Sequence, residues 1–496
     1  MDLNPGVVLP VDGVPRYETM KKSLLCHLAA ALAGISLTLA ADKPNIVFIL
    51  ADDLGVGELG CYGQKMIRTP NIDRLANEGM RFTACYAGSA VCAPSRCSLL
   101  TGKHPGHAFV RDNRELPGRV GAGEETYPGQ TPLPENDLTI AKLLRSAGYL
   151  STCIGKWGLG NVGNSGDPQK QGFDHFFGYY CQRHAHNHYP RFLFRDGSKL
   201  MLDGNEGGAT GRHYAQDQFI AEAEKFLREN KHRPFLLYLP VTIPHLAIQG
   251  PEEALAEYRG KFPEPEDYKP GSYFKHATPR AGYAGMVTYL DRGVGRILTL
   301  LDELKLDEKT LVLFSSDNGP THDRVGGADS DFFKSSEGRR GRKGSLYEGG
   351  LRVPLLARWP GKIKPGTVSD HVCAFWDVLP TLGELAGVIP PPHLDGLSFA
   401  PTLLGREGQK SHEFLYWEFP AYGHHQALRA GKWKAVRPQL AKAPKAEPEL
   451  YDLAADPGEA HDVADQNPEV VERLRALMVE ARNASELFPL KGVDAP

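Results

Sequence analysis

The sequence predicts an α/β fold: one large, mostly parallel sheet sandwiched by helices, followed by a smaller C-terminal α+β subdomain. Three observations carry this. Apolar runs such as Asn45–Leu50 (NIVFIL) and Leu311–Phe314 (LVLF) are nearly continuous, as suits strands buried on both faces. Stretches of helical period lie between such runs, so strands and helices alternate. After about Gly405 the texture changes to short runs broken by turn residues.

In chain order, strands are expected at Asn45–Leu50, Tyr149–Ile154, Pro234–Leu239, Leu311–Phe314 and Val353–Ala357. Helices are expected at Pro70–Glu78, Thr139–Ala147, Tyr214–Asn230, Tyr283–Leu304 and Asp377–Leu385. The large domain then covers 42–404. Over 405–496, HEFLYWEF, HQALRAGKWKAVR and ELYDLAADPGEAHDV read as antiparallel strands, and Pro468–Glu480 as an amphipathic helix. Polar residues follow several parallel-type strands at once: Asp52-Asp53, Gly155-Lys156, His245, and Asp317-Asn318-Gly319. Open sheets bind ligands at their carboxyl ends, so these residues could share one crevice.

The chain has 496 residues, 41% hydrophobic and 24% charged, with a formal net charge of -3. No basic field marks a nucleic-acid or anionic-membrane partner. Met20-Lys21-Lys22, the apolar run Ser23–Ala40 and the small pair Ala40-Ala41 have the shape of a secretory signal peptide over 20–41. Residues 1–19 then read as an over-extended start, and the apolar run is short for a membrane span. The expected compartment is periplasmic or extracellular, with no stable membrane span once the signal is cleaved. Cys26 leaves with the signal, and seven cysteines remain: Cys61, Cys85, Cys92, Cys97, Cys153, Cys181 and Cys373. An odd number leaves at least one outside any intramolecular disulfide.

Cys92 lies in AVCAPSRCSLLTGKHPG, Ala90–Gly106, in unusual company. Pro94 suits the first turn of a helix and Gly102 its exit. Cys92 would then sit at the amino end, where free N–H groups favour an anion. Arg96, four residues on, would lie on the same side. A structural cysteine paired with Cys97 or Cys85 is the plainer reading of Cys92 alone. Asp52, Asp53, Asp317 and Asn318 are all oxygen donors, and adjacent carboxylates call for a hard cation. With no partnering thiolate to suggest zinc, the expected ion is Ca²⁺, with Mg²⁺ as a substitute.

The string Cys92-Ala93-Pro94-Ser95-Arg96, continuing to Leu100-Thr101-Gly102-Lys103, resembles the signature of the formylglycine-dependent sulfatases. These are arylsulfatase-like members of the alkaline phosphatase superfamily, and the resemblance runs from about Pro44 to Phe488. It implies oxidation of Cys92 to formylglycine by a formylglycine-generating or anaerobic sulfatase-maturating enzyme. The hydrated aldehyde would be the nucleophile that hydrolyses a sulfate ester to alcohol and inorganic sulfate. It also implies Asp52, Asp53, Asp317 and Asn318 as ligands of one calcium ion. Lys156 in GKWGLG and Lys343 in GRKGSLYEGG would contact sulfate, Arg96 would help neutralise it, and His245 in IPHLA would protonate the leaving oxygen.

One departure stands out: the family commonly reads Gly-Lys-Trp-His-Leu-Gly, and this chain has Gly158 in place of that histidine. The segment CQRHAHNHYP offers His184, His186 and His188 as a replacement or as substrate contacts. Gln182 and Arg183, with Tyr179, Tyr189 and Arg191, are expected to line a sugar pocket. The expected substrate is a sulfated carbohydrate attacked at a chain end, or an aryl sulfate. A phosphonate monoester or phosphodiester hydrolase would share the motif. A non-catalytic binder of sulfated glycans would explain the missing histidine.

Overall fold

The structure, a computed structural model, describes residues 1, 2, 6, 43–117, 127–322 and 325–494. The expected signal segment 20–41, and 1–19 apart from those three residues, lie outside the described residues. The chain divides into a unit of residues 1–43 and a unit Pro44–Pro496, and the fold below is that of the second. Among the described residues no helix is long and apolar enough to cross a membrane.

In chain order the strands are β1 (Asn45–Ala51), β2 (Met80–Phe82), β3 (Cys85–Tyr86), β4 (Leu150–Lys156), β5 (His175–Tyr179), β6 (Phe192–Arg195), β7 (Ser198–Met201), β8 (Phe235–Pro240), β9 (Thr310–Ser316), β10 (Leu355–Arg358), β11 (Thr367–Ser369), β12 (Cys373–Ala374), β13 (Leu415–Phe419), β14 (His425–Ala430), β15 (Trp433–Arg437) and β16 (Glu449–Asp452). Ten of them form one sheet in the order β11-β2-β10-β9-β1-β8-β4-β5-β6-β7. Its centre, from β9 through β5, is parallel, with Ile49 of β1 in register with Phe314 and Leu239. The flanks depart from the expected parallel pattern. β10 runs antiparallel to β9 and β2, and β5, β6 and β7 form an antiparallel meander. Short connections such as Asp196-Gly197 between β6 and β7 permit only antiparallel neighbours, so the sheet as a whole is mixed.

The unbroken apolar runs reflect burial on both faces. Along β1, Val47 and Ile49 join one hydrophobic cluster while Ile46, Phe48 and Leu50 join the other. The first face is covered by the helices Pro70–Asn77, Ala215–Asn230 and Pro279–Glu303, the second by Cys92–Thr101, Ile140–Ser146 and Val378–Leu385. Thr139 caps its helix by accepting from the Lys142 N–H. The longest helix starts at Pro279, a turn before the expected Tyr283, because proline there supplies a ready first turn.

β13 to β16 form a four-stranded antiparallel sheet, and the helix Pro468–Glu480 covers one face through Leu474 and Met478. The other face packs on the large domain, where Trp417 lies among Tyr86 and Trp376 and donates its indole N–H to the Ala87 carbonyl. All seven described cysteines are free, so Cys92 is paired with neither Cys97 nor Cys85. Cys85 and Cys373 face each other as register partners of β3 and β12.

Candidate active site

The carboxyl ends of β1, β9, β8 and β4 lie side by side, and each delivers polar groups to one hollow. β1 ends in Asp52 and Asp53, both fully buried. Asp53 has φ +64°, a left-handed conformation uncommon for a non-glycine residue. Its N–H donates to Asp317 Oδ1, which ties the tip of β1 to that of β9. β4 ends in Lys156, and β8 leads to His245.

Residue 92 enters from the side, as the first residue of the helix Cys92–Thr101, with Val91 as its extended N-cap. Gly102 ends the helix at φ +69°. Cys92 Sγ lies 3.4 Å from Asp52 Oδ1, 3.3 Å from Lys156 Nζ and 3.6 Å from Lys343 Nζ. Lys156 Nζ also reaches Asp52 Oδ2 at 2.7 Å, and Lys343 Nζ reaches Asp53 Oδ2 at 2.9 Å. The two lysines thus bracket residue 92, each tied to a different aspartate.

Arg96 has another place than the sulfate contact expected of it. Its Nε and Nη2 donate to Asp317 Oδ2 at 3.0 and 2.8 Å, and its Nη1 donates to the Lys156 carbonyl. The guanidinium is fully buried, with its donors spent on protein groups, so it positions Asp317 and the end of β4. Ser95, from the same turn, donates its hydroxyl to the Asp317 carbonyl.

Electrostatics follow from this packing. Burial, helped by Asp317 and Asp52, pushes the Cys92 thiol well above its usual range. As a thiol it is a poor nucleophile. Burial opposes the charge of Lys343, yet the Asp53 carboxylate beside it prevails and lifts its pKa; for Lys156, Asp52 does the same. Burial, then Lys343 and Lys156, depress His245 well below the ordinary imidazole value. His245 Nδ1 bonds the Leu246 carbonyl, and its Nε2 faces Asp53 Oδ2 at 3.5 Å.

The donor set fits a hard divalent cation. Asp52, Asp53 and Asp317 bring three carboxylates, and Asn318 Oδ1 is buried without a hydrogen-bond partner. Three carboxylates already face the three cations Arg96, Lys156 and Lys343. The protein charges at the centre therefore cancel, and a divalent ion would make it net positive toward an anionic substrate.

The histidine-rich segment divides. His184 stacks flat on Tyr127 at 4.1 Å and is 1% exposed among Tyr179, Phe192 and Phe194. Both its ring nitrogens lack partners, so it is a core residue and not the expected substrate contact. His188 is also buried, with its ring nitrogens on the Thr242 hydroxyl and the His245 carbonyl. His186 alone comes to the site: its ring stacks on His245 at 4.8 Å and leans on Tyr273.

Gly158 has φ +78°, and a Cβ there would lie 2.9 Å from Gln182 Nε2. Gln182 thus fills the space beside the missing histidine and lies 3.4 Å from Asn113 Oδ1, the acceptor for the Ala93 N–H. Arg183 is paired with Glu115 at the surface. Tyr179 and Tyr189 belong to the hydrophobic core, and Arg191 bonds the Glu206 carbonyl, so these three do not make the expected sugar pocket. Sequence reasoning met Ser95 only as a member of the Cys92–Arg96 string and missed Asn113, because the partners of both are set by packing.

Comparison with known proteins agrees with this geometry. The family model "Sulfatase" matches residues 44–388, and the model "N-sulphoglucosamine sulphohydrolase, C-terminal" matches residues 341–484. Arylsulfatase A of Homo sapiens is 33% identical over 515 residues, covering 92% of this chain and 90% of its own. The N-acetylgalactosamine-6-O-sulfatase of Bacteroides thetaiotaomicron is 30% identical, covering 88% of this chain and 93% of its own. The crystal structure of Ps i-CgsB in complex with k-i-k-neocarrahexaose superimposes with TM-score 0.71 at 28% identity, over 89% of this chain and 94% of that one.

Proposed function

Because the chain belongs to the sulfatase family and hydrolyses sulfate esters, we propose that its substrate is a sulfated carbohydrate cleaved at a chain end. The observation that carries this reading is the pair of ammonium groups, Lys156 and Lys343, bracketing residue 92 at 3.3 and 3.6 Å. Two relatives support the sugar: one acts on N-acetylgalactosamine-6-O-sulfate by its name, and one structural neighbour holds an oligosaccharide. The depth of the hollow, with residue 92 fully buried, favours a terminal residue over the middle of a chain.

Formylglycine at position 92, made from the thiol by a maturation enzyme, would supply a hydrate with one hydroxyl to attack sulfur and another whose deprotonation expels sulfate. Ca²⁺ held by Asp52, Asp53, Asp317 and Asn318 would supply Lewis-acid charge. The rest is done by the chain's own residues. Lys156 and Lys343 stay protonated at neutral pH and offset the negative charge of the sulfuryl oxygens. Arg96 fixes the Asp317 carboxylate at the end of β9. His245 holds Nδ1 against the Leu246 carbonyl and turns Nε2 to the hollow, where it serves the departing oxygen. Gln182 fills the wall at Gly158, and His186 backs the His245 ring. Export to the periplasm or the medium, directed by residues 20–41, would place the enzyme where sulfated glycans are met.

The test joins mass and rate. The protein is produced with a formylglycine-generating or anaerobic maturation enzyme, and the peptide holding residue 92 is weighed. Initial rates are compared on an aryl sulfate, 6-sulfated N-acetylgalactosamine, a phosphonate monoester and a phosphodiester. The reading predicts an aldehyde at residue 92 and release of sulfate in preference to phosphorus products. An unmodified thiol and no sulfate release would support a glycan-binding protein instead.

A further inference from the structure

The hairpin that joins β13 to β14 turns at Tyr422-Gly423-His424, and all three residues have positive φ: +51°, +110° and +62°. Two non-glycine departures from ordinary backbone, one on either side of a glycine, mark a conformation the surroundings enforce. The enforcing contacts are visible. The Tyr422 carbonyl accepts from Gln439 Nε2 and bonds His425 Nε2, and the Leu440 and Ala441 N–H groups donate to the carbonyls of His424 and Gly423. This rigid tip does not hide its side chain: Tyr422 is 57% exposed, although most large apolar residues of the fold are buried.

The phenol lies beside the catalytic hollow. A Cβ on Gly344 would stand 2.8 Å from Tyr422 Cδ2, so the ring rests against the α-carbon next to Lys343. Gly344 has φ +84°, and Lys343 itself bonds Asp53 and reaches Cys92 Sγ. Beside it stands His322, its ring centroid 6.2 Å from that of Tyr422 and turned by 59°. An aromatic ring and an imidazole thus stand together against the α-carbon of Gly344, next to Lys343. A pyranose needs that pair, since its C–H face packs on an aromatic ring while its hydroxyls seek hydrogen bonds.

We propose that Tyr422, with His322 at its edge, is the platform on which the sugar ring bearing the sulfate stacks, so that the C-terminal subdomain contributes to substrate specificity. The inference rests on the sulfated-carbohydrate reading above and adds the residue that would recognise the ring. A rigid tip fits the role because a platform ordered beforehand loses little freedom on binding.

The experiment uses the matured, full-length protein and the variants Tyr422→Ala and Tyr422→Trp. KM and kcat are measured on a 6-sulfated hexosaminide, together with the inhibition constant of inorganic sulfate. The affinity for the desulfated methyl hexosaminide is measured by calorimetry, and thermal unfolding confirms the fold. Tyr422→Ala should raise KM about tenfold or more and weaken the sulfate-free sugar similarly, with kcat within about twofold and sulfate inhibition unchanged. Tyr422→Trp should retain binding. If Tyr422→Ala moves sulfate inhibition as much as KM, the residue merely supports Lys343 through Gly344 and the platform is refuted. It is refuted equally if sugar affinity stays within twofold of the parent, or if the parent binds no hexosaminide. Failure of the sulfatase reading shows separately, as absence of sulfate release from every ester by the parent protein.

Discussion

Lys343 Nζ stands 3.6 Å from Cys92 Sγ across 251 residues of chain, while the same ammonium is bonded to Asp53. It therefore joins the residue proposed as nucleophile with the carboxylates proposed to hold the ion. Replacing Lys343 by Ala should lower kcat/KM on a sulfate ester by about 10²–10³-fold, the size seen when one preorganised stabilising group is lost. Lys156→Ala should act alike. A loss below fivefold in stopped assays would show that the ammoniums do not face the reacting sulfur.

Removal of the ion provides a second check. Dialysis against a chelator should abolish sulfate release and lower the unfolding temperature, because a ligand that binds only the folded state stabilises it in proportion to its occupancy. Added Ca²⁺ should restore both. Asp317→Asn should fail to recover with calcium, since Asp317 is both a proposed ligand and the anchor of Arg96. Full activity in metal-free protein would sink the assignment of Asp52, Asp53, Asp317 and Asn318.

His184 gives a prediction about acid stability. Burial holds its pKa down to about 3. An unfolded histidine titrates near 6.5, so the unfolded chain binds more protons between those values and stability falls as pH drops from about 6.5 toward 3. His184→Phe, placed among Tyr127, Tyr179 and Phe192, should remove that loss and stabilise the protein by roughly 2 kcal/mol at pH 5. Parallel unfolding curves for parent and variant from pH 7 to 5 would contradict it.

Lys434 of β15 is buried 2.9 Å from both Glu348 and Glu459. Burial works against ionisation of Glu348, but Lys434, followed by Arg352 and Arg429, holds its pKa down to about 2. Lys434→Met would leave the carboxylates buried without their ammonium, at a cost of about 3–5 kcal/mol near neutral pH. The deficit should shrink as pH falls and the carboxyl groups protonate, which thermal unfolding across pH would register. Glu348 follows Lys343 closely in sequence, so activity should fall with stability.

The parts of the site written as local strings were legible in the sequence. Cys92 with Pro94 and Gly102 announced a helix start and stop, and Asp52-Asp53 and Asp317-Asn318 announced polar groups at strand tips. Strand tips of a parallel sheet gather on one side whatever their separation in the chain, which made the crevice foreseeable. Roles that depend on packing were not legible. Arg96 turned inward to Asp317, because spacing fixes the side of a helix but not the partner waiting there. His184 and His186, two residues apart, met an aromatic box and the catalytic hollow respectively. The antiparallel flanks escaped notice because β10 and β6, the strands that run against their neighbours, have four residues each, and an apolar run records burial but not direction. Tyr422 gave no warning, since only the folded hairpin brings it to Gly344.

The complete burial of Cys92 sets an order of events. The oxidation proposed for it would have to precede closure of the fold, while CAPSR is still a pliant ribbon, because the folded chain leaves a modifying enzyme no grip on a side chain set beneath two lysines. A chain that folds first would be trapped in its dormant form, and only unfolding in denaturant would expose the thiol to the converting enzyme again.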